Sequence, residues 1–122
     1  MVSGNTGTIG VHQVPAIPTG TFCHYVIVRS DLPRGIQAAN IAHAAGESSP
    51  GNLPAGTHAV VLTTPSEPAL ESVATMLRLK GLEFVRIEEV DAPFTGQLMA
   101  LGLLPRQKEV LRRHLSSLPL LK

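Results

Sequence analysis

The stretch that decides the fold is residues 22–45, FCHYVIVRSDLPRGIQAANIAHAA. Its first eight residues are rich in aromatic and β-branched side chains, and the continuous apolar run at 26–28 favours a strand buried on both faces. A short turn follows, and the Ala-rich remainder predicts a helix that begins near Arg34. The helix also carries a stripe of small residues that predicts a close approach to the sheet: Ala38, Ala42 and Ala45.

A second strand and helix follow. Residues 58–63 (HAVVLT) predict another short buried strand. The next helix has a start signal, in which Thr64 is the predicted N-cap, Pro65 the first helical position and Glu67 the partner in a capping box. Gly81 predicts the end of this helix.

The remaining elements complete the sheet. We predict strands at 84–88 and 97–104, and a last helix that begins at Pro105. The connection at 89–96 is too short for a crossover helix, so these two strands should be antiparallel, whereas helical crossovers make the first three strands parallel. The predicted fold is therefore a three-layer α/β/α domain with a four-stranded mixed sheet and the element order β-α-β-α-β-β-α.

Composition limits the class of protein. With 43% hydrophobic and 16% charged residues in 122, the chain predicts one folded domain rather than a disordered one. Residues 1–20 have no apolar core behind a basic start and predict a flexible tail, so the domain is expected at 21–122. The apolar run at 98–104 is too short to span a membrane, and Cys23 has no partner for a disulfide. These features predict a cytoplasmic protein.

The topology predicts where a ligand would bind. In sheets of this kind ligands bind outside the carboxyl ends of the parallel strands. Polar residues follow each of the predicted strands and are therefore expected at this place. The sequence contains no phosphate-binding glycine pattern, no HExxH and no nucleophile elbow. The histidines have no metal-ligand spacing, so no metal site is predicted.

Two segments resemble the type II peptidyl-tRNA hydrolase family: VRSDLPRGIQAANIAHA at 28–44 and IEEVDAPFTGQLMALGLLP at 87–105. In that family an opening strand ends in V-R-x-D-L, a turn leads into a helix reading A-A-Q-x-A-H-A, and a late strand reads like A-L-G-x-x-P. The resemblance covers residues 25–122. It implies an α/β/α domain, usually a homodimer, that cleaves the ester joining a peptide to the terminal ribose of tRNA without a metal or organic cofactor.

This chain departs from the family at two helix positions. Ile36 stands where the family carries its catalytic lysine, and Asn40 stands where it carries glutamine. A divergent branch that the sequence also resembles lacks the lysine too. Arg34, two positions earlier, is then the candidate for the missing positive charge, and Asn40 lies on the same helix face as Ile36. The alternative for Arg34 is an exposed arginine at a helix start.

Ester hydrolysis also needs a group that orients water and groups that hold the substrate. Asp91 is the candidate for orienting water, with a merely solvated acid as the alternative. Arg29 and Asp31 are candidates for substrate binding, or they pair with each other and hold the loop. Thr95 and Gln97 are candidates for hydrogen bonds to the peptide or ribose, unless they only solvate the loop.

Two further predictions concern basic and imidazole side chains. Arg106 and Arg113 would be nearly aligned on the last helix and are candidates to bind an RNA backbone, with a solvated outer face as the alternative.

His43 lies about 13 Å from the start of its helix, at 1.5 Å per residue, and is predicted to be a packed structural histidine.

Three functions remain open. The first is hydrolysis of peptidyl-tRNA or a related aminoacyl-RNA ester. The second, favoured by Ile36, is a catalytically silent module that binds an RNA end or a protein partner through the same edge of the sheet. The third is a structural homodimer whose leucines, in 98–104 and near the end of the chain, form the subunit interface.

Overall fold

The computed structural model describes residues 17–122. Most of the predicted tail therefore lies outside the described residues. The described residues form five strands and three helices, in the order β1 (Phe22–Arg29), α1 (Arg34–Ser48), β2 (His58–Thr64), α2 (Glu67–Leu79), β3 (Phe84–Glu88), β4 (Leu98–Leu103), β5 (Arg106–Gln107) and α3 (Lys108–Leu115).

The main sheet has the strand order β2-β1-β4-β3. β1 and β2 are parallel, whereas β4 is antiparallel to both of its neighbours, β1 and β3. β1, β2 and β3 therefore all run in the same direction, as predicted from the helical crossovers. Their carboxyl ends lie side by side at one end of the strands. We call this end of the sheet the carboxyl rim; it is formed by the ends of β1, β2 and β3 and the start of β4.

Helices cover both faces of the sheet. On one face, apolar residues of α2 and α3 pack against Ile27 and Leu62. On the other, Ala44 of α1 packs against Val26 and Val28. Successive side chains of a strand point to opposite faces of the sheet. Ile27 therefore belongs to the cluster on one face, and Val26 and Val28 belong to the cluster on the other. The predicted three-layer α/β/α fold is thus confirmed.

The start of α2 differs from the prediction. Thr64 still pairs with Arg29 in the β1–β2 ladder and therefore belongs to the strand. Ser66 is the N-cap instead, and its hydroxyl accepts a hydrogen bond from the Ala69 N–H at 3.2 Å. The shift of two residues leaves Glu67 in the first turn, where its carboxylate accepts from the Leu98 N–H at 2.7 Å.

The start of α3 also differs. Arg106 and Gln107 are extended and pair with the amino end of β1, and the helix begins only at Lys108. The reason lies in β4, which pairs with β1 only along 26–28 and leaves the backbone of Phe22 and Cys23 open to a further strand. Arg106 is therefore not a residue of the last helix.

The segment before β1 and the segment after α3 both pack on the domain. Ile17 packs against the α2–α3 core, and the Gly20 N–H donates to the Glu109 carboxylate at 3.1 Å. Residues 118–122, which we call the edge segment, run along the free edge of β2. The Thr63 N–H donates to Pro119 O at 2.9 Å, and the Leu121 N–H donates to Val61 O at 3.0 Å.

Candidate functional site

Arg29 is the centre of the carboxyl rim. It is the last residue of β1, and only 6% of it is exposed. Its Nε and Nη2 donate to the two carboxylate oxygens of Asp31 at 3.0 and 2.9 Å, a bidentate pair. Its Nη1 donates to Gln97 Oε1 at 2.8 Å and to Leu98 O at 3.2 Å. The predicted pairing of Arg29 with Asp31 is confirmed.

These hydrogen bonds set the charge states. The bond from Arg29 lowers the pKa of Asp31, and the same bond raises the pKa of Arg29. Asp31 is therefore a carboxylate at neutral pH, and it is still partly exposed, at 39% of its side chain. We call Arg29, Asp31 and Gln97 the Arg29 cluster. It ties the loop after β1 to the start of β4.

Thr64 and Glu67 lie on the same face of the sheet as Arg29. Thr64 pairs with Arg29 in register, and Glu67 contributes to the electrostatic environment of its guanidinium. Thr64 is 2% exposed, and its hydroxyl has no hydrogen-bond partner within residues 17–122. A buried hydroxyl without a partner costs stability, so this position is energetically unfavourable at the very end of β2.

The predicted residues of α1 lie on the opposite face. Arg34 is exposed at the first residue of the helix, and Ile36 is half-buried. Asn40 is buried, but its amide Nδ2 donates to Ile36 O at 2.9 Å within the helix. Asn40 is a candidate site residue, but one donor of its amide is therefore already used by the helix backbone.

Asp91 and Thr95 lie in the loop between β3 and β4, and both are exposed. The loop is closed by Glu89, whose carboxylate accepts from the Asp91 N–H at 3.2 Å and whose carbonyl accepts from the Gly96 N–H at 2.8 Å. Within the described part of the chain, the Asp91 carboxylate makes no hydrogen bond. It is an exposed acid on a loop that is closed by hydrogen bonds to Glu89.

The structure thus brings together only some of the predicted residues. The Arg29 cluster is directly bonded, whereas Arg34 and Asn40 belong to the α1 face. The end of β3, which leads to Asp91, is two strands from β1, about 10 Å at the usual strand spacing. Arg106 lies at the amino end of β1, the far end from the carboxyl rim, and Arg113 is exposed on α3.

His43 is not packed, contrary to the prediction. Its side chain is 62% exposed and pairs with Glu47, one turn further along α1, at 2.6 Å. The packed histidine is His24 in β1, whose Nε2 lies 2.7 Å from Ser48 Oγ. Since the Ser48 hydroxyl donates to Ala44 O, His24 Nε2 must be the donor, and burial lowers the pKa of His24. His24 is therefore neutral at pH 7.

A cleft of about 670 Å³ lies beside the rim on the α1 face. One wall is the first half of α1, including Arg34, and the other is the edge segment, including Lys122. Sequence reasoning missed this cleft, because nothing in the sequence indicated that the edge segment follows β2.

The described residues hold no grouping of three His, Cys, Asp or Glu side chains that could bind a metal ion. None of the helices formed by residues 17–122 is long and apolar enough to cross a membrane. Burial raises the pKa of the Cys23 thiol, which is fully buried in the core.

Compared with known proteins, the chain matches no family model and no curated protein sequence.

Proposed function

We propose that this protein hydrolyses, in the cytoplasm, the ester of peptidyl-tRNA or of a related aminoacyl-RNA. The observation that carries the proposal is the Arg29 cluster, a hydrogen-bonded set of side chains around a buried arginine at the carboxyl rim, where the exposed acid Asp91 follows the end of β3. The bidentate pair of Arg29 with Asp31 has a defined geometry, and the same guanidinium positions the Gln97 side chain. The resemblance of 28–44 and 87–105 to the type II peptidyl-tRNA hydrolases supplies the reaction.

The chemistry requires three functions from these residues. Asp91 accepts a proton from a water molecule as the water oxygen attacks the ester carbonyl carbon. Arg34 stabilises the negative charge that develops on the carbonyl oxygen. The acyl–oxygen bond then breaks, the ribose oxygen takes the proton from Asp91, and the products are a free carboxylic acid and the RNA with its terminal hydroxyl.

Gln97 is the substrate-binding residue with the best-defined position. Arg29 holds its carbonyl oxygen at 2.8 Å, so the amide Nε2 keeps both of its donors for a peptide carbonyl or a ribose hydroxyl. Thr95, two residues earlier and exposed, adds a hydroxyl to the same loop.

A catalytically silent binding module is the second candidate. Two observations favour it. The apolar Ile36 stands at the family's lysine position, and the Asn40 amide already donates a hydrogen bond to the Ile36 carbonyl oxygen. Such a module would bind the RNA end or a protein partner at the carboxyl rim without cleaving an ester.

The third possibility, a dimer built on the leucines of 98–104, is not supported. β4 is buried along its whole length in the domain's own core, and Leu115 is buried there as well. Leu120, 55% exposed, is still available for a homodimer, which remains a prediction to be checked by sedimentation.

A hydrolysis assay on peptidyl-tRNA, with free aminoacyl esters as comparison substrates, tests the proposal. Asp91→Asn should lower the rate by about 100-fold or more, the usual contribution of a general base. Glu83→Gln removes an equally exposed carboxylate at the other end of β3 and should leave the rate unchanged. Ile36→Lys should raise it. Absence of hydrolysis by both the natural chain and Ile36→Lys, with retained binding of the RNA, would favour the silent module.

RNA binding by Arg106 and Arg113 needs a separate measurement. If both contact phosphates, the double substitution to alanine should weaken RNA binding for every sequence and flatten its dependence on salt. Cleavage of a small ester should be unchanged, because Arg106 lies at the far end of β1. An unchanged salt dependence would identify both arginines as solvated surface residues.

A further inference from the structure

The cleft between α1 and the edge segment has two rigid walls. One wall belongs to a 15-residue helix. The other is fixed to β2 by backbone hydrogen bonds on both sides of Leu120. The volume, about 670 Å³, lies within the range of about 300–1,000 Å³ that is typical of sites for small molecules. The cleft is therefore an open groove between two hydrogen-bonded elements, and neither wall is a loose chain end.

The polar side chains that line the cleft are already used. The Gln37 amide donates to Ser30 O and Leu32 O, and the Ser30 hydroxyl donates to Thr64 O. The Thr63 hydroxyl is oriented toward Pro119 O at 3.5 Å. The rest of the lining between the two cations is aliphatic, from Ala38, Ile41, Pro119, Leu120 and Leu121.

The charged side chains in the cleft have one sign. Arg34 and Lys122 both line it, and no lining residue is acidic. Within residues 17–122, neither cation forms a salt bridge. An aliphatic surface beside two cationic side chains that form no salt bridge is complementary to a ligand with an apolar body and an anionic end.

We propose that this cleft binds a free medium-chain aliphatic carboxylate, with the chain against Ala38, Ile41 and Leu121 and the carboxylate between Arg34 and Lys122. An RNA end fits less well, because bases are held by aromatic stacking and by free hydrogen-bonding groups. The cleft has no aromatic residue, and the donors of its uncharged side chains are engaged. This binding does not depend on the proposed hydrolysis, although Arg34 belongs to both sites.

Calorimetric titration with decanoate at pH 7.5, followed by amide chemical shifts in the ¹⁵N-labelled protein, tests the proposal. Saturable binding with a dissociation constant below about 1 mM is expected, with the largest shifts at 38–41 and in the edge segment. Decanol, which has no charge, should bind at least about twofold more weakly, since a partly exposed ion pair contributes that much or more. The RNA tetranucleotide ACCA should not displace decanoate.

Two matched pairs of variants locate the site. Ala38→Phe fills the cleft and should weaken decanoate binding more than about tenfold, whereas Ala39→Phe, at an equally exposed position that does not line the cleft, should change it less than about twofold. Lys122→Gln should weaken binding about two- to fivefold, and Lys80→Gln, an exposed lysine after α2, should not. Ala38→Leu replaces Ala38→Phe if the latter does not fold.

Several results would overturn the proposal. These are no saturable decanoate binding, equal affinity for decanol, or equal effects of the two phenylalanine substitutions. Shifts at 38–41 produced by ACCA but not by decanoate would assign the cleft to the RNA end instead. Each outcome is measured as binding, so loss of the proposed ester hydrolysis would leave this test unaffected.

Discussion

α1 lies very close to the sheet at Gly102, and replacing this glycine tests the packing directly. A Cβ atom at this position would lie 2.4 Å from Ala44 O and 2.7 Å from Ser48 Oγ. Ordinary contacts of this type begin near 3.4 Å. Gly102→Ala therefore forces α1 away from β4 by about 1 Å, because the nearest atom is backbone and cannot rotate aside.

Two costs follow from such a displacement. Overpacking of a dense core typically costs about 1–3 kcal/mol. Ser48 also accepts the hydrogen bond from His24, and a weakened bond to a buried group adds about 1–3 kcal/mol. We expect Gly102→Ala to lower the free energy of unfolding by about 3 kcal/mol, which is roughly 12–14 °C in Tm for a domain of this size.

Urea denaturation with a parallel thermal melt measures the effect. Gly46→Ala is the matched control, because Gly46 lies in α1 with nothing within 4 Å of its added Cβ. That substitution should stabilise the protein by about 0.5–1 kcal/mol, the usual gain of alanine over glycine in a helix. If Gly102→Ala lost less than about 0.5 kcal/mol, within the range of ordinary surface substitutions, the close contact between α1 and β4 would be wrong.

The other predictions concern buried polar groups. Thr64→Val should raise the free energy of unfolding by about 1 kcal/mol, because it removes a buried hydroxyl without a partner in the described residues. Thr63→Val, beside the cleft, is the control and should not raise it. A loss of stability in Thr64→Val would show that the hydroxyl has a partner. Burial lowers the pKa of His24, so the unfolded chain takes up a proton below about pH 6.5 that the folded protein does not, and stability falls as the pH decreases from there toward the folded pKa. His24→Leu should flatten that slope by up to about 1.4 kcal/mol per pH unit in urea titrations, and an unchanged slope would mean that His24 does not titrate in this range.

The order of elements and the strand directions could be predicted from the sequence, because they depend on local pattern and on connection length. The continuous apolar run at 26–28 and the short connection at 89–96 carried most of that information. Both helix starts after β2 and β4 were misplaced by two or three residues, since the strand pairing of Thr64 and of Arg106 extends into the predicted caps. Such pairing depends on a distant strand and leaves no local signal.

The contact face of α1 was predicted only in part. Of the predicted small-residue stripe, Ala45 is half-buried and packs against the sheet, whereas Ala38 and Ala42 are exposed. The buried stripe is Asn40, Ala44 and Ser48. Small size alone does not decide which face packs, because the partner must also be small. Here the partner of Ala44 is Gly102, 58 residues away in sequence, and only the three-dimensional contact reveals it.

The division of the candidate site between two faces follows from the period of a strand. The sequence placed most of these residues at the carboxyl ends of the strands, but alternation along β1 sends Arg29 to the α2 face while α1, with Arg34 and Asn40, covers the other. Arg106 and Arg113 lie elsewhere, at the amino end of β1 and on α3. In the proposed reaction, Arg34 and Gln97 would therefore approach a bound ester from opposite faces, above the end of β1. The Ser30 N–H at that point cannot stabilise the developing oxyanion, because it already donates to Thr64 O at 2.8 Å. Stabilisation of that charge consequently falls to Arg34, and Arg34→Ala should lower the rate of hydrolysis of the proposed substrate without the backbone compensating for it.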